Sequence, residues 1–476
     1  MDCTAEVFDQ FQLLCDVNGF NDHQMHCVLR FEHPPDAEIL KKAVISSIEA
    51  VHVLGTRYIQ DARPRWTSLD PSDFGRAFVI ARTEMELEEF LGSRVDERLG
   101  PQVRVCLLES SPFAIAFKMN HMVCDATGFK EYLYLLCEIY SGLAADPAYK
   151  PAVIAGDRSI RTVLKHFGMS TKLKCLFLQS KENNLTGRNR FPLGTGGEVR
   201  PFILTRKLGR EKTTALKNYG RARGATLNDV VLTAYYRCLF QRLAVNPDAK
   251  LQIPVMVDMR RYLKEAGKFT SLTNLASTAI TQLEYRPEER FKGTLARVKA
   301  IMDKKKRSNI GLNAFIKLHM MYRIFGDRIA NYLLRTSLKN PLICMTNVGM
   351  LDSAQISFGG LRPHDAFLCG SIKYKPYFQL AMSSYEGEIT LSVNLWGSAS
   401  DRNRILSFLD EIDAELHGCN LAVHGATHTA MQSQPTISLE VLPKIPGSRH
   451  RRSSTCPPRT FFSAAPILLY TEYSRP

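Results

Sequence analysis

Hydrophobic and polar positions follow a strand–helix rhythm through the first part of the chain. Met25 to His33 (MHCVLRFEH) reads as a strand stopped by Pro34-Pro35. Asp36 then caps the amphipathic helix DAEILKKAVISSIEAV, whose apolar residues recur at helical spacing. Phe78 to Ala81 forms a second, short strand, and Met85 to Leu99 a second amphipathic helix stopped by Gly100-Pro101. Two strands, Gln102 to Leu108 and Pro112 to Met119, lie on either side of Ser110-Ser111, and a polar turn leads into a helix from about Thr127 to Tyr140. The residues before Met25 read as a short leader. This order predicts a mixed α/β lobe over residues 1–150.

Residues 151–199 form a basic bridge that ends in the loop-like run NNLTGRNRFPLGTGGEV. Inside it, Ile160, Val163, Leu164, Phe167, Leu173, Leu176 and Phe177 share one helical face, with Arg161, Lys165, Lys172, Lys174 and Lys181 largely elsewhere. That pattern fits a packed crossover helix, or a basic amphipathic helix touching a membrane or an acidic partner through 160–181.

A second lobe is predicted over residues 200–418. Its strands are Phe202 to Leu208, Leu251 to Met259, Ala276 to Tyr285 and Leu342 to Val348, with a hairpin of Phe378 to Ser383 and Ile389 to Leu395 turning at Glu386-Gly387. Its helices are Glu211 to Arg223, a capped helix opened by Thr226 and Asp229, Glu288 to Arg307, Leu312 to Leu334, and Arg402 to Leu416 with Gly418 just past its end. Residues 419–476, with seven prolines and the basic cluster Arg449 to Arg452, are expected to be a disordered tail.

Composition narrows the class. No apolar run approaches the roughly 18 residues of a membrane span, and the acidic start MDCTAEVFDQFQLL does not read as a secretory signal. The 12 cysteines include no CxxC pair and no zinc-type spacing, so no metal site is expected, and a reducing, cytoplasmic setting is. The net charge is +15, but Gly156 to Lys212 holds 13 Lys/Arg against 4 Asp/Glu, and the residues from Cys419 onward hold 6 against 2. The rest of the chain is nearly balanced, which favours solvated basic segments over a nucleic-acid surface.

Candidate chemistry sits at the turn KMNHMVCDATG. His121 and Asp125 form the single HxxxD of the chain, at the exit of an apolar strand and the entry of a helix, where an imidazole can reach a cleft and serve as a general base. A bare HxxxD is weak, since 12 histidines give roughly one such match by chance.

The turn resembles the histidine motif of the condensation-domain superfamily of thioester-dependent acyltransferases, which includes chloramphenicol acetyltransferase, alcohol and polyketide-associated acyltransferases, and the condensation domains of nonribosomal peptide synthesis. ATLNDVVLTAYYRCL, IPVMVDMRRYL and PLICMTNVGML follow in the order, and at about the spacing, of that family's second-lobe segments. The resemblance implies an α/β (α+β) fold of two chloramphenicol-acetyltransferase-like lobes, each a mixed sheet with helices, packed as a V-shaped pseudo-dimer around a tunnel.

It further implies a stand-alone O- or N-acyltransferase with His121 as catalytic base and no bound cofactor. Acyl-CoA or a phosphopantetheine thioester would be the co-substrate, the acceptor a small-molecule or lipid alcohol or amine, and an acyl carrier protein a partner. Asp125, Arg260 and Gly128 would shape the site, with an Asp125–Arg260 ion pair. Asn120, Thr346 and Asn347 are candidates for lining the tunnel or binding the oxyanion. Peptide-condensation domains usually carry a second histidine where this chain has Asn120, and a glycine directly after the aspartate where it has Ala126. That leaves two other readings: a non-catalytic condensation-like module that binds a carrier protein, and a peptide-condensation enzyme of secondary metabolism.

Overall fold

Alternating buried positions build two mixed sheets, which a computed structural model describes over residues 3–178, 189–263, 271–338 and 340–421. The chain begins with β1 (Cys3–Thr4), α1 (Val7–Val17), β2 (Gln24–Phe31) and α2 (Ala37–Ala50). Strands β3 (Thr56–Ile59), β4 (Arg65–Ser68) and β5 (Phe78–Ala81) precede α3 (Glu84–Gly92), β6 (Val103–Leu108), β7 (Phe113–Asn120) and α4 (Ala126–Ala145). The bridge holds α5 (Arg161–Leu164) and α6 (Met169–Leu178). The second half runs β8 (Arg200–Leu208), α7 (Arg210–Arg221), α8 (Leu227–Arg242), β9 (Lys250–Asp258), β10 (Ala276–Glu284), α9 (Phe291–Arg307) and α10 (Leu312–Ser337). It closes with β11 (Ile343–Met350), β12 (Asp365–Cys369), β13 (Phe378–Tyr385), β14 (Glu388–Gly397) and α11 (Ala399–Leu421).

The first sheet has the order β12-β2-β7-β6-β5 and is antiparallel except for the β5–β6 pair. In the second, ordered β10-β9-β11-β13-β14-β8, β11 runs parallel to both neighbours. β7 is buried on both faces. Ile115, Phe117 and Met119 join the core under α2 and α4, while Ala114 and Ala116 pack with Leu87, Phe90 and Leu91 of α3. Because both faces are covered, the strand reads as a near-continuous apolar run, and its last residue delivers the chain to the His121 turn.

The two lobes exchange elements. α1 packs on α10, with Phe8 and Phe315 ring centroids 5.0 Å apart. β12 returns from the second half to pair with β2 across Asp365 to Cys369. At the end of that crossing, Lys373 forms backbone bridges to both Asn21 and Leu395, a seam between the lobes.

Several predicted elements change. The leader contains β1 and α1, and α1 opens with a reciprocal capping box between Glu6 and Asp9. The helix predicted to reach Leu99 ends at Gly92, and Val95 instead exchanges hydrogen bonds with the side chain of Gln24. The single bridge helix is two pieces, interrupted around Gly168, a residue type that favours helix ends. Gly418 lies inside α11 rather than beyond it. Lys181 and the tail from residue 422 lie outside the described residues. The ten described cysteines are unbonded.

Candidate active site

Local sequence fixes the turn first. Asp125 is the N-cap of α4 and accepts from the Gly128 amide at 3.0 Å. Asn120, fully buried, donates to Gln102 Oε1 at 2.7 Å and accepts from the Met122 amide at 2.9 Å. Asn120 therefore braces the turn from beneath, with both ends of its side-chain amide engaged. Gly128 is required by close approach: a Cβ there would meet Cys124 Cβ at 2.8 Å and lie 3.5 Å from the Thr273 carbonyl.

The second lobe then locks the turn through a strap, residues 271–275, that precedes β10. Asn274 Nδ2 donates to the carbonyls of His121 at 2.8 Å and Met122 at 2.9 Å. The Leu275 amide donates to Asp125 Oδ2 at 2.6 Å. Arg260 Nη1 donates to both Asp125 oxygens, at 3.0 and 2.8 Å, and its Nη2 reaches the Thr273 carbonyl at 3.0 Å. Arg158 grips Asp9 with two 3.0 Å hydrogen bonds and donates to the Val123 carbonyl at 3.2 Å. Every carbonyl from Asn120 to Cys124 thus has an identified donor, and the imidazole stands on a fixed frame. Arg158, Asn274 and the strap carry no periodicity or motif. Arg158 falls in the segment expected to be solvated, yet it is largely buried on Asp9.

His121 is only partly covered. Its Nδ1 lies 2.8 Å from the Cys124 carbonyl oxygen, which can only accept, so Nδ1 carries the proton and Nε2 keeps its lone pair. Burial lowers the proton affinity of the ring, the Cys124 carbonyl and Asp125 partly oppose this, and Lys373 adds to the lowering. The net direction is below the ordinary histidine value, which leaves a neutral base at pH 7.

Asp125 shows the opposite balance. Burial raises its pKa, but the charge and hydrogen bonds of Arg260 and the Gly128 and Leu275 amides outweigh that and hold it below the usual carboxylate range. It stays ionised and turned to Arg260. Burial pushes the Cys124 thiol in the turn well up, so it supplies no thiolate.

Lys373, missed in the sequence, is buried at 8% exposure, and its charge reaches His121, Cys15 and Cys344. Among the described residues its ammonium meets no carboxylate within salt-bridge distance. Thr346 lies on β11 beside Ala381 of β13. The amide of Asn347 is engaged with Asn228, at 3.3 Å, and with the Gly349 amide, at 2.9 Å. No hydrogen bond joins either residue to the histidine turn. A cleft of about 630 Å³ opens on the outer face of α4, lined by Glu131, Tyr134, Glu138 and Gln355, and His121 is not part of it.

Solved structures share this fold over most of the chain. Polyketide synthase associated protein 5 from Mycobacterium tuberculosis matches with a TM-score of 0.62 at 15% identity, covering 87% of this chain and 97% of its own. The trichothecene 15-O-acetyltransferase TRI3 from Fusarium sporotrichioides matches at 0.66 and 13%, covering 88% and 95%. The first condensation domain of the calcium-dependent antibiotic synthetase matches at 0.65 and 14%, covering 88% and 97%. These structures show that the chain has the two-lobed fold of condensation domains and of acetyltransferases similar to them. Its second half is more specific: residues 199–355 match the family model for the C-terminus of phthiocerol/phthiodiolone dimycocerosyl transferase. No curated protein matches the chain by sequence.

Proposed function

We propose that this protein transfers an acyl group from a thioester to a hydroxyl or amine, with His121 as general base. The observation that carries this reading is the Nδ1 hydrogen bond to the Cys124 carbonyl, which leaves Nε2 free to accept a proton on a ring held neutral. Nε2 takes the proton of the acceptor O–H or N–H as that atom attacks the thioester carbonyl carbon. The tetrahedral intermediate collapses, the C–S bond breaks, and the imidazolium returns the proton to the departing thiolate. The raised, buried thiol of Cys124 favours this direct transfer over an acyl-cysteine intermediate.

The donor is an acyl-CoA or a carrier protein's phosphopantetheine thioester. Similarity to a polyketide-synthase-associated protein and to a synthetase condensation domain supports the second source. Thiol release from a panel of acyl-CoAs and acyl-carrier proteins, with alcohol and amine acceptors, tests the reading. Acceptor-dependent release with a matching acyl product is expected, and its absence across the panel would sink the assignment.

Two pH results follow. The acid limb of kcat/KM should fall with its midpoint below about 6.5, the ordinary histidine value, because the base form must be present and its pKa is lowered. Lys373→Met removes a cation that disfavours imidazolium, so the same limb should move to higher pH. An unmoved limb would mean that Lys373 does not act on His121.

A further inference from the structure

Acyl transfer leaves one surface, formed by the bridge and the second lobe, unexplained. α6 and α10 lie side by side, running in opposite directions. Asn313, near the start of α10, donates to the carbonyls of Cys175 and Leu176 near the end of α6. His319, further along α10, is within electrostatic reach of Lys172 and Arg161, toward the other end of the bridge segment. The inner faces are accounted for: Val163 and Cys175 are buried in the second core with Phe315, and Gln10 of α1 bonds Asp327 and Asn331, each at 2.7 Å.

The outer faces are not. Met169, Leu173 and Phe177 recur every fourth residue along α6 and are exposed, Phe177 by 70%. On α10, Ile324 and Phe325 just before its break at Gly326, and Ile329 and Tyr332 after it, are exposed too, Ile324 by 62% and Tyr332 by 67%. So many exposed side chains of this size are uncommon on a soluble surface without a partner. Basic groups stand among them. Arg161, Lys174, Arg323 and Arg328 are exposed, and the one acid of these helices, Asp327, is held by Gln10.

We propose that the α6–α10 face seats the protein on an anionic lipid bilayer, with its apolar side chains in the headgroup–acyl boundary and its arginines and lysines on lipid phosphates. Among the described residues no helix is long and apolar enough to cross a membrane, so the contact lies along the surface. Charge complementarity selects this occupant. A second copy would bring the same basic face, setting Arg323 and Arg328 against like charges, whereas an anionic headgroup layer satisfies them. The surface is independent of whether His121 transfers acyl groups.

Co-sedimentation of the full chain with vesicles tests it, using phosphatidylcholine alone and phosphatidylcholine containing about one-third phosphatidylserine. Binding to the anionic vesicles is expected to be more than about tenfold tighter than to neutral ones and to weaken with salt. Phe177→Ser with Ile324→Ser, and separately Arg161→Glu with Arg323→Glu, should each lower it by roughly tenfold or more while the melting temperature stays unchanged. Absence of vesicle binding would overturn the proposal. So would binding that both double variants retain, since the contact would then lie elsewhere on this basic chain. A concentration-dependent dimer abolished by Phe177→Ser, or vesicle binding only after deletion of residues 179–188, would also overturn it, because a second copy or that segment would then be the cover.

Discussion

His121→Ala is expected to lower kcat/KM for thioester-dependent transfer by about 10²- to 10⁴-fold, the usual contribution of a positioned general base. The fold should survive. The frame of the turn is built from the backbone and from Asn120, Asn274, Arg158 and Asp125, none of which uses the imidazole. The lost Nδ1 hydrogen bond is partly solvent-accessible, and its removal should cost no more than about 1 kcal/mol. Thiol release, with urea unfolding as the companion measurement, separates the two effects. Equal activity in wild type and variant would remove His121 from the chemistry. A large loss of stability would assign it to the scaffold instead.

The second large effect is expected at the ion pair. Arg260→Ala leaves the Asp125 carboxylate, 4% exposed, without its main counter-charge. Breaking such a pair from one side typically costs about 3–5 kcal/mol. Asp125→Asn should cost a comparable amount, because an amide cannot accept from Arg260, Gly128 and Leu275 together. Activity should fall in proportion to the misplacement of the turn, and urea midpoints should fall with it. An Asp125→Asn protein of wild-type stability but without activity would give Asp125 a chemical role.

The pH sign follows from the depressed pKa of Asp125. Its stabilisation is fully present above the unfolded value of about 3.9 and is lost as pH falls through the lower folded value. The Arg260→Ala variant should therefore show a weaker loss of stability on acidification in that window.

What the sequence made legible was local. β7, the turn and α4 could be read because an apolar run, an N-capping carboxylate and a helical stripe are written in consecutive residues. The lobes and their mixed sheets followed from the same kind of pattern. The strap 271–275 could not be read, since its chemistry is to meet a turn about 150 residues earlier and SLTNL carries no period. β12 was invisible for a related reason: DAFLC is short, and its pairing partner lies more than 300 residues away. The bracing contacts of Asn120 were not legible for a different reason. Its neighbour at the turn points outward, but the alternation of β7 sends Asn120 inward to Gln102. The stripe Ile160 to Phe177 was assigned to a single helix, so the exposure of Leu173 and Phe177 appears only once the break near Gly168 divides it.

The exchange of α1 and β12, together with the double bridge at Lys373, has a mechanical consequence. Backbone hydrogen bonds run without interruption from β2 through β12, and again from Asn21 through Lys373 to Leu395. This line of backbone pairing, together with the strap that holds the His121 turn, keeps the lobes from parting as two separate bodies. Lys373 sits on the line itself, with its charge within reach of His121.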